Sequence, residues 1–231
     1  MPSSKDQKIL KLSFRTLGKY INKSTLKNAI YFSGGIILFM AGVIIYGIII
    51  NLREIPLSEA MKLKGYDKLK NPNIVIDRKT YTLNLYEDTV LIKSYRASFG
   101  KNINTPKSRA NDEATPVGDY QICSIDTISK YHKFLRLNYP NIHDDTEGLR
   151  MGLISQITYD NLKFEFYHEG CPSSNTALGG NIGIEGIGEY NSIFKNLPFV
   201  YNWTNGSIAV SNESIDEIYS VIKKGTKVVI K

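Results

Sequence analysis

From Ala29 to Ile50 the chain runs for 22 residues without one charged side chain, and this run limits the architecture more than any other feature. An α-helix rises about 1.5 Å per residue, so the run is long enough for the roughly 30 Å hydrocarbon core of a bilayer. A cleaved secretory signal is the alternative. Its apolar region is usually only about 7–15 residues long, and Asn51-Leu52-Arg53-Glu54 offers no small-x-small cleavage site. The sequence therefore predicts an uncleaved membrane anchor.

Charge orients that anchor. Lys5, Lys8, Lys11, Arg15, Lys19, Lys23 and Lys27 precede or enter the run against Asp6 alone, so residues 1–51 hold +6 of the chain's formal +7. Basic flanks stay on the cytoplasmic side, which puts the C-terminal part outside. The rest of the chain carries only +1 and no basic stripe, which argues against a nucleic-acid ligand. The spacing of Lys8, Lys11, Arg15, Lys19 and Lys23 also suits an amphipathic helix on anionic lipid, although a topogenic flank accounts for the same charges. Four regions follow: a basic cytoplasmic tail (1–28), a transmembrane anchor (29–50), a stem (51–71) with Ser58 as cap of a short helix, and an extracytoplasmic domain (72–231).

Within the domain, period-two alternation predicts strands. Tyr81, Leu83 and Leu85 alternate with Thr82 and Asn84, Glu87-Asp88 turns the chain, and Val90 to Tyr95 returns as the second arm of a hairpin. One helix is marked by Asn212 as cap, acidic residues in its first turn, and Ile215, Ile218, Tyr219 and Ile222 at helical spacing. Thr226 to Ile230 closes the chain as a β-branched strand. Cys123 and Cys171 lie where oxidation is permitted, and either pair or remain two thiols. His132, His143 and His168 show no ligand spacing, so neither a metal nor a cofactor is expected.

Several segments occur together in one order: Ile74-Val75-Ile76-Asp77, Thr115-Pro116-Val117-Gly118, Tyr139-Pro140-Asn141, Asn175-Thr176-Ala177-Leu178-Gly179-Gly180 leading into Ile182-Gly183-Ile184, then Trp203-Thr204-x-Gly206-x-Ile208-Ala209 and Gly225-Thr226-Lys227-Val228. In this the chain resembles the L,D-transpeptidase catalytic domain over roughly residues 72–231. The resemblance implies a mainly β fold with short helices (α+β), a β-sandwich of mixed sheets, and peptidoglycan stem peptides as ligand in cell-wall biogenesis or remodelling. In such enzymes a Cys thiolate attacks a stem-peptide carbonyl, assisted by a His and by backbone donors to the oxyanion.

Here Ser207 stands at the Cys position and Glu185 at the His position, and Asn202 replaces an acidic residue common before the Trp-Thr pair. Gly186, Trp203, Thr204 and Gly206 keep the substrate and oxyanion framework. A serine needs a base, and a carboxylate with a reference pKa near 4.3 is a weak one unless burial raises it. The expectation is a catalytically degenerate, membrane-bound family member that binds wall peptide or a cell-wall enzyme partner. Three alternatives stand beside it: Ser207 as nucleophile with Glu185 as base, Cys171 as nucleophile with His168 in the Tyr167-to-Pro172 loop, and a non-enzymatic tether from membrane to wall.

Overall fold

The computed structural model describes residues 22–51, 54–197 and 199–231. The helix expected in the basic tail lies outside them. Helix α1 (Lys23–Asn51) contains the apolar run, and it is long and apolar enough to cross a bilayer. Ile37, Leu38, Phe39 and Ile45 are exposed around its surface. A helix apolar on every side needs a lipid or protein environment.

The segment expected to be a stem does more than span distance. Helix α2 (Leu57–Leu63) follows Pro56, and Ser58 falls inside its first turn without capping it. Leu57, Met61 and Leu69 enter the main hydrophobic core. Polar contacts hold this entry in place: the Leu57 amide donates to Glu217 Oε1 at 3.0 Å, and the buried Glu87 carboxylate accepts from the amides of Lys70 (2.8 Å) and Asn71 (3.1 Å).

Eight strands follow. β1 (Pro72–Asp77), β2 (Thr82–Glu87) and β3 (Val90–Arg96) form an antiparallel meander, the last two being the expected hairpin. β4 (Gly118–Ser129) and β5 (His132–Leu137) make a second hairpin. Helices α3 (Ile142–Arg150) and α4 (Gln156–His168) project as an arm before β6 (Gly183–Glu185). The short α5 (Asn191–Phe194), β7 (Ile208–Ala209), α6 (Asn212–Val221) and β8 (Lys227–Ile230) complete the domain. The order is β3-β2-β1-β8-β4-β5-β6-β7, with β1–β8 and β6–β7 parallel.

Long β4 joins the two halves of this mixed sheet. Its first residues, Gly118 to Gln121, pair with β8, while the stretch from Ile122 pairs with β5. The core lies where Ile74, Ile76, Leu83, Leu135, Ile184, Ile208 and the α6 residues Ile215 and Ile218 meet, all fully buried. The cap of α6 is Ser211, whose side chain accepts from the Ser214 amide; Asn212 is the first helical residue, and its Oδ1 accepts instead from Gly188 N at 2.9 Å. The helix starts at the residue expected to precede it, which leaves the Asn212 side chain free to bind the loop after β6.

Cys123 in β4 and Cys171 beyond α4 form a disulfide, with Cα atoms 5.3 Å apart and 48 residues of separation. The bond ties the α3–α4 arm to the sheet. Closing a loop of this size restricts the unfolded chain by roughly 4 kcal/mol in the chain-entropy model. Replacing both cysteines by Ser is therefore expected to lower stability by about 2–4 kcal/mol in urea unfolding, and dithiothreitol is expected to have no effect on the variant. An unchanged midpoint in the double variant would show that the arm is held without the bond.

Candidate functional site

The face that carries the replaced residues is set by strand register. Leu135 on β5 is paired with Ile184 on β6, which is paired with Ile208 on β7, and all three are fully buried in the core. Successive side chains on a strand point to opposite faces. Phe134, Glu185 and Ala209 therefore form one row on the other face, and Arg136 and Gly183 form the next, where Ser207, just before β7, meets Gly183. Glu185 and Ser207 share a surface but sit one row apart.

Two glycines shape this surface. At Gly206 the backbone has φ +125°, and a Cβ would approach Ala114 O to 2.7 Å. Only glycine lets the turn before Ser207 fold against the 112–115 loop. At Gly183 a Cβ would lie 2.6 Å from Cε2 of Phe134. The Phe134 ring thus lies over Gly183, between the Glu185 row and Ser207.

Ser207 is 8% exposed and Glu185 5%. The Ser207 hydroxyl oxygen receives only a long bond, 3.4 Å, from the Gly183 amide. Among the described residues no hydrogen bond joins Ser207 to Glu185, and no side chain or amide donates to the Glu185 carboxyl. A general base has to lie within about 2.6–3.2 Å of the proton it removes, directly or through one water. The two groups share a face without a hydrogen bond between them among the described residues.

The expected oxyanion framework has been taken into local structure. Thr204 Oγ1 donates to Ser207 O at 2.6 Å and accepts from Gly206 N at 3.2 Å, so the Gly206 amide is engaged within its own turn. Gly186 allows the chain to pass close to Tyr131 O and Asn212 Oδ1. Trp203 packs between Tyr131 (5.6 Å) and Phe194 (6.3 Å). With Phe194, Tyr201 and Ala209 it lines a cavity of about 250 Å³ beside the Glu185 row, and Asn202 Oδ1 fixes the nearby Phe99 amide at 3.0 Å.

His168 and Cys171 do not make the alternative centre that sequence allowed. The Cys171 sulfur is bonded to Cys123, so it has no thiol to ionise. His168 is stacked on Phe164, with Nδ1 3.0 Å from Phe164 O at the end of α4. Among the described residues no group of three His, Cys, Asp or Glu side chains is placed to hold a metal ion.

Sequence reasoning missed Phe134 and Arg136. The signal was the alternation of His132-Lys133-Phe134-Leu135-Arg136-Leu137, which puts both on the face opposite Leu135 and Leu137. Arg136 Nη2 donates to Pro172 O at 2.5 Å, next to the disulfide, while its buried Nε has no partner. Burial holds the guanidinium below its ordinary pKa. This places a cation with one unused donor in the same row as Ser207.

Burial alone raises the Glu185 carboxyl from 4.5 to about 8. In the unfolded chain the group ionises near pH 4.3. Between those values the native state binds more protons than the unfolded state, so stability falls as pH rises. The contribution is complete below the unfolded pKa and is lost by about pH 8. Glu185→Gln is therefore expected to match wild type near pH 3.5, to exceed it by about 1 kcal/mol at pH 5, and to exceed it by about 2 kcal/mol or more at pH 8.5, in urea titrations. Asp145, raised to about 7 by burial and the nearby Asp144 and Glu165 carboxylates, slopes the same way. The difference between the two proteins isolates Glu185, and parallel pH curves would refute its assignment.

The family model of the YkuD L,D-transpeptidase catalytic domain matches residues 71–230. Among solved structures, the chain is similar to an L,D-transpeptidase from Xylanimonas cellulosilytica, with 16% identity, 76% of this chain and 70% of that one covered, and a TM-score of 0.41. It is also similar to the helical cell shape determining protein Pgp2 of Campylobacter jejuni (17% identity, 71% and 47% covered, TM-score 0.46) and to Bd1075 of Bdellovibrio bacteriovorus (20%, 71% and 48%, 0.44). The matched part spans about half the length of the last two. No curated protein matches the sequence. With the family model extending from the first strand to the last, this chain belongs to the L,D-transpeptidase catalytic domain family.

Proposed function

We propose that this protein is a membrane-anchored member of its family that binds peptidoglycan stem peptides on the β5–β6–β7 face without turning them over. The observation that carries the reading is the separation of Glu185 from Ser207, with the Phe134 ring over Gly183. Acyl transfer needs a nucleophile in contact with its base and free donors for the oxyanion. Near neutral pH the Glu185 carboxyl keeps its proton, and the Gly206 amide is already bonded.

Binding makes smaller demands. Stem peptides carry carboxylates, and Arg136, on β5 two strands from Ser207, keeps a buried guanidinium Nε without a partner. The aromatic cavity under Trp203 lies next to the same face. Helix α1 supports anchoring by its length and apolar surface. The disulfide favours the extracytoplasmic side for the domain, because such bonds persist in oxidising compartments.

Incubating the full chain in detergent with tetrapeptide muropeptides, followed by mass spectrometry, tests this reading. Wild type is expected to bind, to give no cross-linked or trimmed product, and to form no covalent carbapenem adduct. Arg136→Gln is expected to weaken muropeptide binding about tenfold, as loss of a charge-assisted contact does. The double variant Ser207→Cys, Glu185→His is expected to gain a carbapenem adduct. Product from wild type that rises above pH 8 would overturn the proposal in favour of Ser207 acting with an ionised Glu185.

A further inference from the structure

A second cavity, of about 400 Å³, lies between the 104–117 loop and helix α3, apart from the β5–β6–β7 face. Arg78, at the end of β1, and Lys107, in the loop, stand on one wall. Asp144 and Glu147, from α3, stand on the other beside His143, and Glu147 Oε2 already accepts from Arg150 Nε (3.0 Å) and Nη2 (2.7 Å), leaving Oε1 for a further donor. Tyr139 and Leu178 supply apolar surface between them.

The charges on these walls are not equally occupied. Lys107 pairs with Asp112 at 2.8 Å, with both side chains nearly buried, and its ammonium lies 5.5 Å over the Tyr139 ring. Arg78 is held by one bond, from Nη1 to Thr115 O at 2.9 Å, and its buried Nε has no acceptor. A guanidinium donates to a carboxylate through parallel N–H bonds. Across the cavity the Asp144 carboxylate is oriented by the Asn141 amide at 2.9 Å and the Tyr120 hydroxyl at 3.1 Å. Burial raises its pKa, and an ammonium group beside it would offset that cost.

A simple anion placed here would face Asp144 and Glu147, and a simple cation would face Arg78 and Lys107. A ligand carrying both charges suits both walls. The volume matches a compact polar ligand, since small-molecule sites begin near 300 Å³. We propose that this cleft binds a small zwitterion, an amino acid or dipeptide, with its carboxylate against Arg78 and its ammonium against Asp144 and Glu147. The inference does not depend on whether Ser207 is active.

Isothermal titration of the full chain in detergent with glycylglycine, N-acetylglycylglycine and glycylglycine amide tests it. The free dipeptide is expected to bind, and each capped form at least about tenfold more weakly, because each lacks one charge. Arg78→Gln and Glu147→Gln are expected to weaken the free dipeptide by a similar factor. Chemical-shift changes at the Leu178 and Val117 methyls on adding glycylglycine place the ligand without any variant. Equal binding of all three compounds, shifts confined to other residues, or no binding up to about 20 mM would overturn the proposal.

Discussion

The burial of Leu135, Ile184 and Ile208 in one core decides what this molecule can do. Once those three are fixed inside, the pleat turns Phe134, Glu185 and Ser207 to the opposite face. A shift of one residue in β6 or β7 would send Ile184 or Ile208 outward and carry Glu185 or Ser207 into the core. The pairing that buries the apolar side chains therefore also places the altered residues. It does not bring them together, because Ser207 aligns with Gly183 and Glu185 with Ala209.

Desolvation then gives Glu185 its character. With no hydrogen bond or cation beside it among the described residues, the carboxyl lowers its burial cost by keeping a proton to about pH 8. Ionic contact would have driven its pKa the other way, as at Glu213, held near 2 with bonds from Lys195 and Asn191 despite partial burial. The two glutamates differ both in burial and in partners: Glu185 is buried without any among the described residues, whereas the Glu213 side chain is mostly exposed and bonded to Lys195 and Asn191. At pH 7 the first is mostly neutral and the second is an anion.

Much of the fold was legible because it rests on local pattern. Alternation gave the β2–β3 hairpin, and helical spacing gave α6 to within a residue at its cap. Helix α4 escaped notice because its apolar residues do not gather on one face: Ile157 and Phe164 are exposed while Leu162 is buried. The stem looked like a spacer, since a short polar segment does not reveal that Leu57 and Met61 will meet a core built by residues far along the chain. The positions of Glu185 and Ser207 were legible through family resemblance. Their stagger was not, because register across β5, β6 and β7 depends on pairings more than 20 residues apart. The disulfide lay open for the same reason, its two residues being brought together by the arm between them.

The 101–117 loop is the physical connection between the Ser207 turn and the charged cleft. Ala114 O abuts Gly206, Thr115 Oγ1 accepts from Gly100 N at 2.9 Å, and Thr115 O holds Arg78 Nη1 at the same distance. Asp112 secures the loop from within, accepting from Lys107 and from the amides of Ser108, Arg109 and Ala114. These bonds, together with burial of the Lys107–Asp112 pair, give the segment little freedom to move one end alone. Thr115 contacts Arg78 on one side, and its neighbour Ala114 abuts Gly206 on the other. The loop thus packs against the Ser207 turn on one side and holds Arg78 of the charged cleft on the other.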